Sequence, residues 1–580
     1  MSLFGTGRRE GFLAGLLLVV LALVQHAPGL LFARWRTPID PTRAAATAVA
    51  SEAATNQLVL LPAMQRVGAV LRQGELPLWN PWARLGEPFA ASGAPVLYPP
   101  FWLLALDEGR AMLELVLFLH TALACVLAYR MLRTLSASRF SAFVAGGLYG
   151  LGWAMTTALD RLPEAAAMAL LPWTISATWH CLFDRRRAHA ATQLALSLAL
   201  SFATGGTATA WLGALLAVSG FCAGLLAIDR TERLRSLRAT LVGLMLAALV
   251  TAPLWLQAAE LRAVLDSPTP APGQVPAVAL LALFAPGLFG ELGATGGGLR
   301  SAAGDADGMA LALYPGAMTL FVGLLGLLRP KRTRQTLYWI AIAGLALVLA
   351  TTGAVGDLAR SAVRAWPYRP GAELALFHIA ACVLAALALE SFFDAPRSRR
   401  VALPLTAGIV LSLATVTLVA FALVPSLGVG AIAWLLDTDP ASLAEPLRAQ
   451  VRLAVLPPSL AGAALALCFL VWRPLGILRF KAAIASVALG EAVGLALRAV
   501  PRAPAGQDAA RVEVATDSRA LHVGDGVAAQ AASAATTTRM LDADGWAILT
   551  RTRRLLDTLA RDLVVLDGRA RITALRVPAL

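Results

Sequence analysis

Apolar residues along this chain run on for stretches of about 20 positions, the length a helix needs to cross the bilayer core. Such runs lie near 12–33, 111–130, 140–158, 164–183, 190–206, 208–228, 239–259, 309–328, 335–353, 371–392, 401–424, 453–472 and 478–498. They predict about thirteen transmembrane helices. The stretch 190–228 is too long for one crossing, and Gly205-Gly206 is the natural break within it. Two regions follow other patterns. Residues 52–73, EAATNQLVLLPAMQRVGAVLRQ, mix apolar and polar positions at helical spacing and predict an amphipathic helix in the membrane interface. After residue 499, short runs such as RVEVATD and DLVVLDGRARITALRV flank the helical-looking TRTRRLLDTLARDL. That alternation predicts a small α/β segment.

Composition agrees with the pattern. Of the 580 residues, 58% are hydrophobic and 14% charged, against about 25% charged in soluble domains. Disorder, a collagen-like repeat and a disulfide scaffold are excluded. Cys125, Cys181, Cys222, Cys382 and Cys468 sit far apart inside apolar stretches and read as small hydrophobic fillers. Lys331 and Lys481 are the only lysines, so arginine supplies nearly all the positive charge, as in GC-rich bacterial genomes.

The net charge of +14 is distributed as membrane topology distributes it, not as nucleic-acid binding would. Arg8 and Arg9 precede the first run. Every second connection then carries a basic cluster, beginning with Arg130/Arg133/Arg139 and ending with Arg473/Arg479/Lys481. Alternation persists through the chain only if the number of spans is odd. The N-terminus is therefore expected in the cytoplasm of a bacterial inner membrane, with the first run an uncleaved helix, and the C-terminus outside. The expected architecture is an all-α polytopic membrane domain over 1–498, with a large first outer loop at 34–110, and a small extracytoplasmic segment over 499–580.

The first loop carries the most distinctive stretch, GELPLWNPWARLGEPFA followed by YPP. It is dense in Pro, Gly and Trp and reads as turns, with Trp79, Trp82, Tyr98 and Trp102 suited to the headgroup level. This stretch resembles the signature of the YfhO-type bacterial membrane proteins, within the GT-C class of multi-pass glycosyltransferases. TAPLWLQAAELRAVLDSP, LYPGAMTLFVGLLGLL and WPYRPGAELALF follow in matching order. The resemblance covers most of residues 1–500 and implies a GT-C-like fold. It also implies transfer of a sugar from a polyprenyl-phosphate donor to a cell-envelope glycopolymer or lipid at the outer face. A non-catalytic transporter, flippase or assembly factor is the rival.

The family pattern implies an acid in the first outer loop, an Asp shortly before the Gln of a Q-x-x-P-like segment. Here SEAATNQLVLLP offers Glu52, and TPIDP offers Asp40; either can serve as the catalytic base. Arg364, Tyr368 and Arg369 of RAWPYRP are candidates for the donor phosphate, since guanidinium forks match its oxygens. Trp79 and Asn80 join them as substrate-binding candidates. Asp160 and Glu164 of LDRLPE form a carboxylate pair able to hold Mg²⁺ or Mn²⁺ through oxygen, or Asp160 pairs with Arg161. His120, His378 and Glu491 lie inside apolar runs and are expected to face the protein interior. The P-loop, HExxH and GxSxG patterns of soluble enzymes are absent.

Overall fold

The computed structural model describes residues 6–32, 34–36, 56, 60–80, 87–89, 95–106, 110–264, 280, 282–284, 286, 314–320, 322, 334–351, 372–393, 399–423, 440–499, 502–504, 520–522, 541–542, 564–566 and 569–571. Helix α1 (Thr6–Leu30) opens the chain. Loop helices α2 (Leu61–Arg72) and α3 (Leu103–Leu106) follow. Next come α4 (Arg110–Thr134), α5 (Arg139–Leu151), α6 (Trp153–Ala158) and α7 (Leu162–Phe183). Then follow α8 (Arg187–Ala203), α9 (Thr207–Leu225) and α10 (Arg230–Val264). The last are α11 (Arg334–Thr351), α12 (Leu374–Phe393), α13 (Arg399–Leu423), α14 (Pro440–Leu470) and α15 (Trp472–Ala499). Among the described residues, 6 helices are long and apolar enough to cross a membrane. The protein is a multi-pass helical membrane protein.

The predicted runs fall on these helices, except that 309–328 is described only in part. Gly205 does break α8 from α9, and its φ of 83° is a value that glycine adopts without strain. The run at 140–158 departs from expectation. It is two helices, because Gly152 between them takes an extended backbone with ψ 169°. The amphipathic helix predicted over 52–73 is described as α2, starting at Leu61.

Helix α7 is the centre of the bundle, buried along nearly its whole length, with α4, α8 and α9 packed around it. Its AAAMA stretch lets neighbours approach closely, which is how helices associate where lipid competes for apolar surface. Gly146 and Gly150 of α5 do the same against α4. A Cβ on Gly146 would lie 2.8 Å from the Tyr129 backbone N, and one on Gly150 2.3 Å from Cys125 Sγ.

The basic connections gather at one end of the bundle. There Arg139 pairs with Glu10, Arg187 with Glu232, and the Ser138 N–H donates to Glu390 at 2.6 Å. At the opposite end, called here the far end, strand β1 (Arg34–Arg36) leaves α1. It pairs antiparallel with β4 (Arg502–Pro504), which leaves α15, Trp35 facing Ala503. The C-terminal ends of the first and last long helices thus open on the same side. Strand β2 (Trp79–Asn80) pairs with β3 (Glu87–Pro88) in the first loop. In the tail, β5 (Ala520–His522), β6 (Leu541–Asp542), β7 (Val564–Leu566) and β8 (Arg569–Arg571) form a sheet of order β6-β5-β8-β7. The helical-looking TRTRRLLDTLARDL lies outside the described residues.

Candidate functional site

The first loop folds back into the bundle. Phe89, Tyr98 and Phe101 belong to the same buried cluster as Leu113, Val116 and Leu117 of α4. A 3₁₀ turn over Pro99–Trp102 starts with two prolines, whose fixed φ and missing N–H suit a helix start. It delivers Tyr98 to His120, with the phenol oxygen 3.0 Å from Nε2. The other ring nitrogen, Nδ1, lies 2.7 Å from the Val116 carbonyl. A carbonyl can only accept, so Nδ1 carries the proton and Nε2 accepts from the Tyr98 hydroxyl. Burial pushes the Tyr98 phenol above its ordinary pKa, which keeps it a donor. Phe101 packs edge-on against Tyr98 at 4.8 Å between ring centroids.

This corrects one expectation. Tyr98 is not a headgroup-level ring: it is 1% exposed, because its hydroxyl has a buried partner. Trp102 is 47% exposed and does sit at the surface, its Nε1 donating to the Val96 carbonyl at 2.8 Å.

A belt of buried polar contacts crosses the far end. Asn56, from the first loop, grips the turn between α6 and α7 with both ends of its amide. Its Nδ2 donates to the Leu159 carbonyl at 2.5 Å, and the Leu162 N–H donates to its Oδ1 at 2.8 Å. One turn into α7, the buried Glu164 accepts from the Thr209 hydroxyl of α9 at 2.7 Å. On the other side, Gln25 of α1 donates to Thr156 of α6 at 3.3 Å. Beside it His26 lies 3.0 Å from the Thr121 hydroxyl and 3.5 Å from the Glu114 carboxylate. Such groups are costly in a membrane interior unless partnered, and each of these has a partner.

Of the residues that the sequence singles out, Asp160 sits half-buried in the turn held by Asn56, and Glu164 is buried beneath it. With Thr209 already donating to it, Glu164 makes an interhelical contact. Among the described residues no cluster of three or more His, Cys, Asp or Glu stands ready for a metal. Trp79 and Asn80 form β2. Glu52, Asp40, Arg364, Tyr368 and Arg369 lie outside the described residues. His120 and His378 are buried, as expected. Glu491 accepts from the Tyr314 hydroxyl and, at 3.0 Å, from the Ala317 N–H.

Sequence reasoning missed Asn56, Thr209, Gln25, His26 and Glu114. Two of them, His26 and Glu114, are ionisable residues in or beside apolar runs, and that alone was a cue.

No protein-family model matches the chain, and no curated protein does. Among solved structures, the arabinofuranosyltransferase AftD from Mycobacteria is similar over 76% of this chain, with 18% identity and a TM-score of 0.42. The chain spans about a quarter of AftD, 27% of its length. ArnT from Cupriavidus metallidurans bound to undecaprenyl phosphate is similar over 96% of this chain and 97% of its own, with 15% identity and a TM-score of 0.43. The apo state of ArnT covers 93% and 88% in the same order, with 15% identity and a TM-score of 0.45. Similarity at this level assigns no role to any residue here.

Proposed function

We propose that the protein is a YfhO-like member of the GT-C class with about thirteen spans. It would move a sugar from a polyprenyl-phosphate donor to a cell-envelope glycopolymer or lipid at the outer face of the inner membrane. The acceptor hydroxyl attacks the anomeric carbon as the bond to the phosphate oxygen breaks, and a carboxylate takes the hydroxyl proton. Cationic side chains stabilise the departing phosphate. Glu52, or Asp40 in its place, is assigned the base. Arg364, Arg369 and Tyr368 are assigned the phosphate, and Trp79 with Asn80 the wall of the sugar site.

One observation carries this reading: the grip of Asn56 on the turn at Leu159–Leu162. Glu52 precedes Asn56 by four residues, and four residues of chain span at most about 14 Å. On this reading the acid of the first loop acts at the end of the bundle where Asn56 holds the turn, beside Asp160, Arg161 and the polar belt. A catalytic carboxylate held next to a membrane-facing bundle needs such an anchor, because orientation of the reacting groups supplies much of the rate.

The test is a set of three variants assayed for transfer from a polyprenyl-phosphate sugar in proteoliposomes. Glu52→Gln keeps the side-chain shape and cannot accept the proton, so it should lower the rate by about two to four orders of magnitude. Asp40→Asn should be tolerated if Glu52 is the base. Arg369→Ala should raise the donor concentration needed. Transfer that survives both acid replacements would overturn the assignment and favour the non-catalytic reading.

A further inference from the structure

A cavity of about 880 Å³ lies at the basic end, between α4, α7 and α8. Its walls are graded. On α7 it is lined by Leu170, Trp173, Ser176 and His180, and on α4 by Leu123, Leu127, Arg130 and Thr134. These residues fall at intervals of three or four and so form one stripe of each helix, with Tyr129 and Arg133 beside the stripe on α4. Both stripes run from aliphatic, deep in the bundle, to cationic or polar at the helix end.

The length is informative. Leu170 and His180 are ten residues apart, about 15 Å along a helix, half the hydrocarbon thickness of about 30 Å. The groove matches one leaflet. Its deep end is closed by Tyr98, Pro99 and Pro100 of the first loop.

The charges at the open end do not cancel. Arg139 pairs with Glu10, and His180 lies 3.7 Å from Asp184. Arg133 donates to the Ala137 carbonyl, which leaves its charge unbalanced. Arg130 is exposed and meets no carboxylate among the described residues. Two cations thus stand at the rim. One turn deeper, the Ser176 hydroxyl is buried, 9% exposed, and has no hydrogen-bond partner. An unpartnered hydroxyl costs free energy in an apolar setting, and Ser176 is part of the groove wall.

We propose that the groove holds an anionic glycerophospholipid from the leaflet at the basic end. Its phosphate sits between Arg130 and Arg133, an ester carbonyl accepts from Ser176, and one acyl chain lies along Trp173, Leu127, Leu123 and Leu170. The order phosphate, ester oxygen, hydrocarbon is that of a glycerophospholipid read from headgroup to tail. An isoprenyl phosphate has no ester oxygen at the middle level. Basic pockets between transmembrane helices on this side of a membrane are suited to anionic headgroups.

Native mass spectrometry of the full chain in detergent tests this with added diacyl phosphatidylglycerol. It should bind at least about tenfold more tightly than phosphatidylcholine. Arg130→Gln, at an exposed side chain, should remove most of that preference. Ser176→Ala should weaken diacyl but not ether-linked dialkyl phosphatidylglycerol. Leu127→Trp, which fills the groove, should abolish binding of both, and Arg130→Gln keeps the test sound if that variant fails to insert. Equal binding of both phospholipids, or no effect of Arg130→Gln, would overturn the proposal. So would glycerol phosphate displacing the lipid at equal concentration, which would mark a free-phosphate site. An isoprenyl phosphate that binds more tightly and is indifferent to Ser176→Ala would overturn it as well. Sugar transfer plays no part in these readouts.

Discussion

A histidine in an apolar interior stays only if both ring nitrogens are served, and His120 is served by Val116 on its own helix and by Tyr98 from the loop. Tyr98→Phe removes a donor and leaves a buried acceptor bare, which costs about 1–3 kcal/mol. It should lower the melting temperature of the detergent-purified protein. The raised phenol pKa means this contribution is already complete at neutral pH and should stay level up to pH 9, lost only as the phenol ionises. A thermal scan of both proteins across pH 6 to 9 checks it. At Asn56 the two bonds can be separated. Asn56→Asp keeps the acceptor for the Leu162 N–H and, while its carboxyl is protonated at low pH, an O–H able to donate to the Leu159 carbonyl, whereas Asn56→Ala loses both bonds, so alanine should be the more disruptive at low pH. Limited proteolysis of the first loop measures the release. His120 was legible in the sequence because an ionisable residue in an apolar run has few cheap solutions. Asn56 was not, because an amide in a polar loop is ordinary until its partner, 103 residues away, is known.

Whole helices were the most legible level, since hydrocarbon solvent forces continuous apolar runs and satisfied backbone. The break at Gly205 was visible because a span of double length is impossible. The break at Gly152 was hidden, because a single extended residue leaves the local composition unchanged. The strand pairing was invisible too: RWR and RAP are three residues each, at opposite ends of the sequence. Yet that pairing bears on topology. If β1 and β4 leave the membrane together, an even number of crossings separates them, and the total is odd. Trp35 and Ala503 face each other in an antiparallel pair, where Cα atoms lie about 4.5–5.5 Å apart, within disulfide reach. Trp35→Cys with Ala503→Cys should therefore cross-link spontaneously in cells if the far end is extracytoplasmic, where disulfides persist. A mobility shift that vanishes on reduction is the readout. Persistent free thiols that link only with added oxidant would put the far end in the cytoplasm.

Across the whole molecule two kinds of environment sit at opposite ends. The far end carries the polar belt and the anchored loop, and the basic end carries the apolar groove and the unbalanced arginines. The positive-inside bias predicts that the end with the basic clusters faces the cytoplasm, and the strand pairing, if both strands leave the membrane together, makes the number of crossings odd without reference to charge. Together they predict one arrangement, with the N-terminus inside and residues after 504 outside. Alkaline phosphatase, active only outside, should be active when fused after residue 504 and inactive when fused after residue 228, between α9 and α10. A fluorescent protein that matures only in the cytoplasm should give the reverse at both positions. Activity of the phosphatase at both sites would break the parity and, with it, the placement of the polar belt at the outer face. In that case the Asn56 anchor would face the cytoplasm, and a lipid-linked sugar donor at the outer surface would have no access to it.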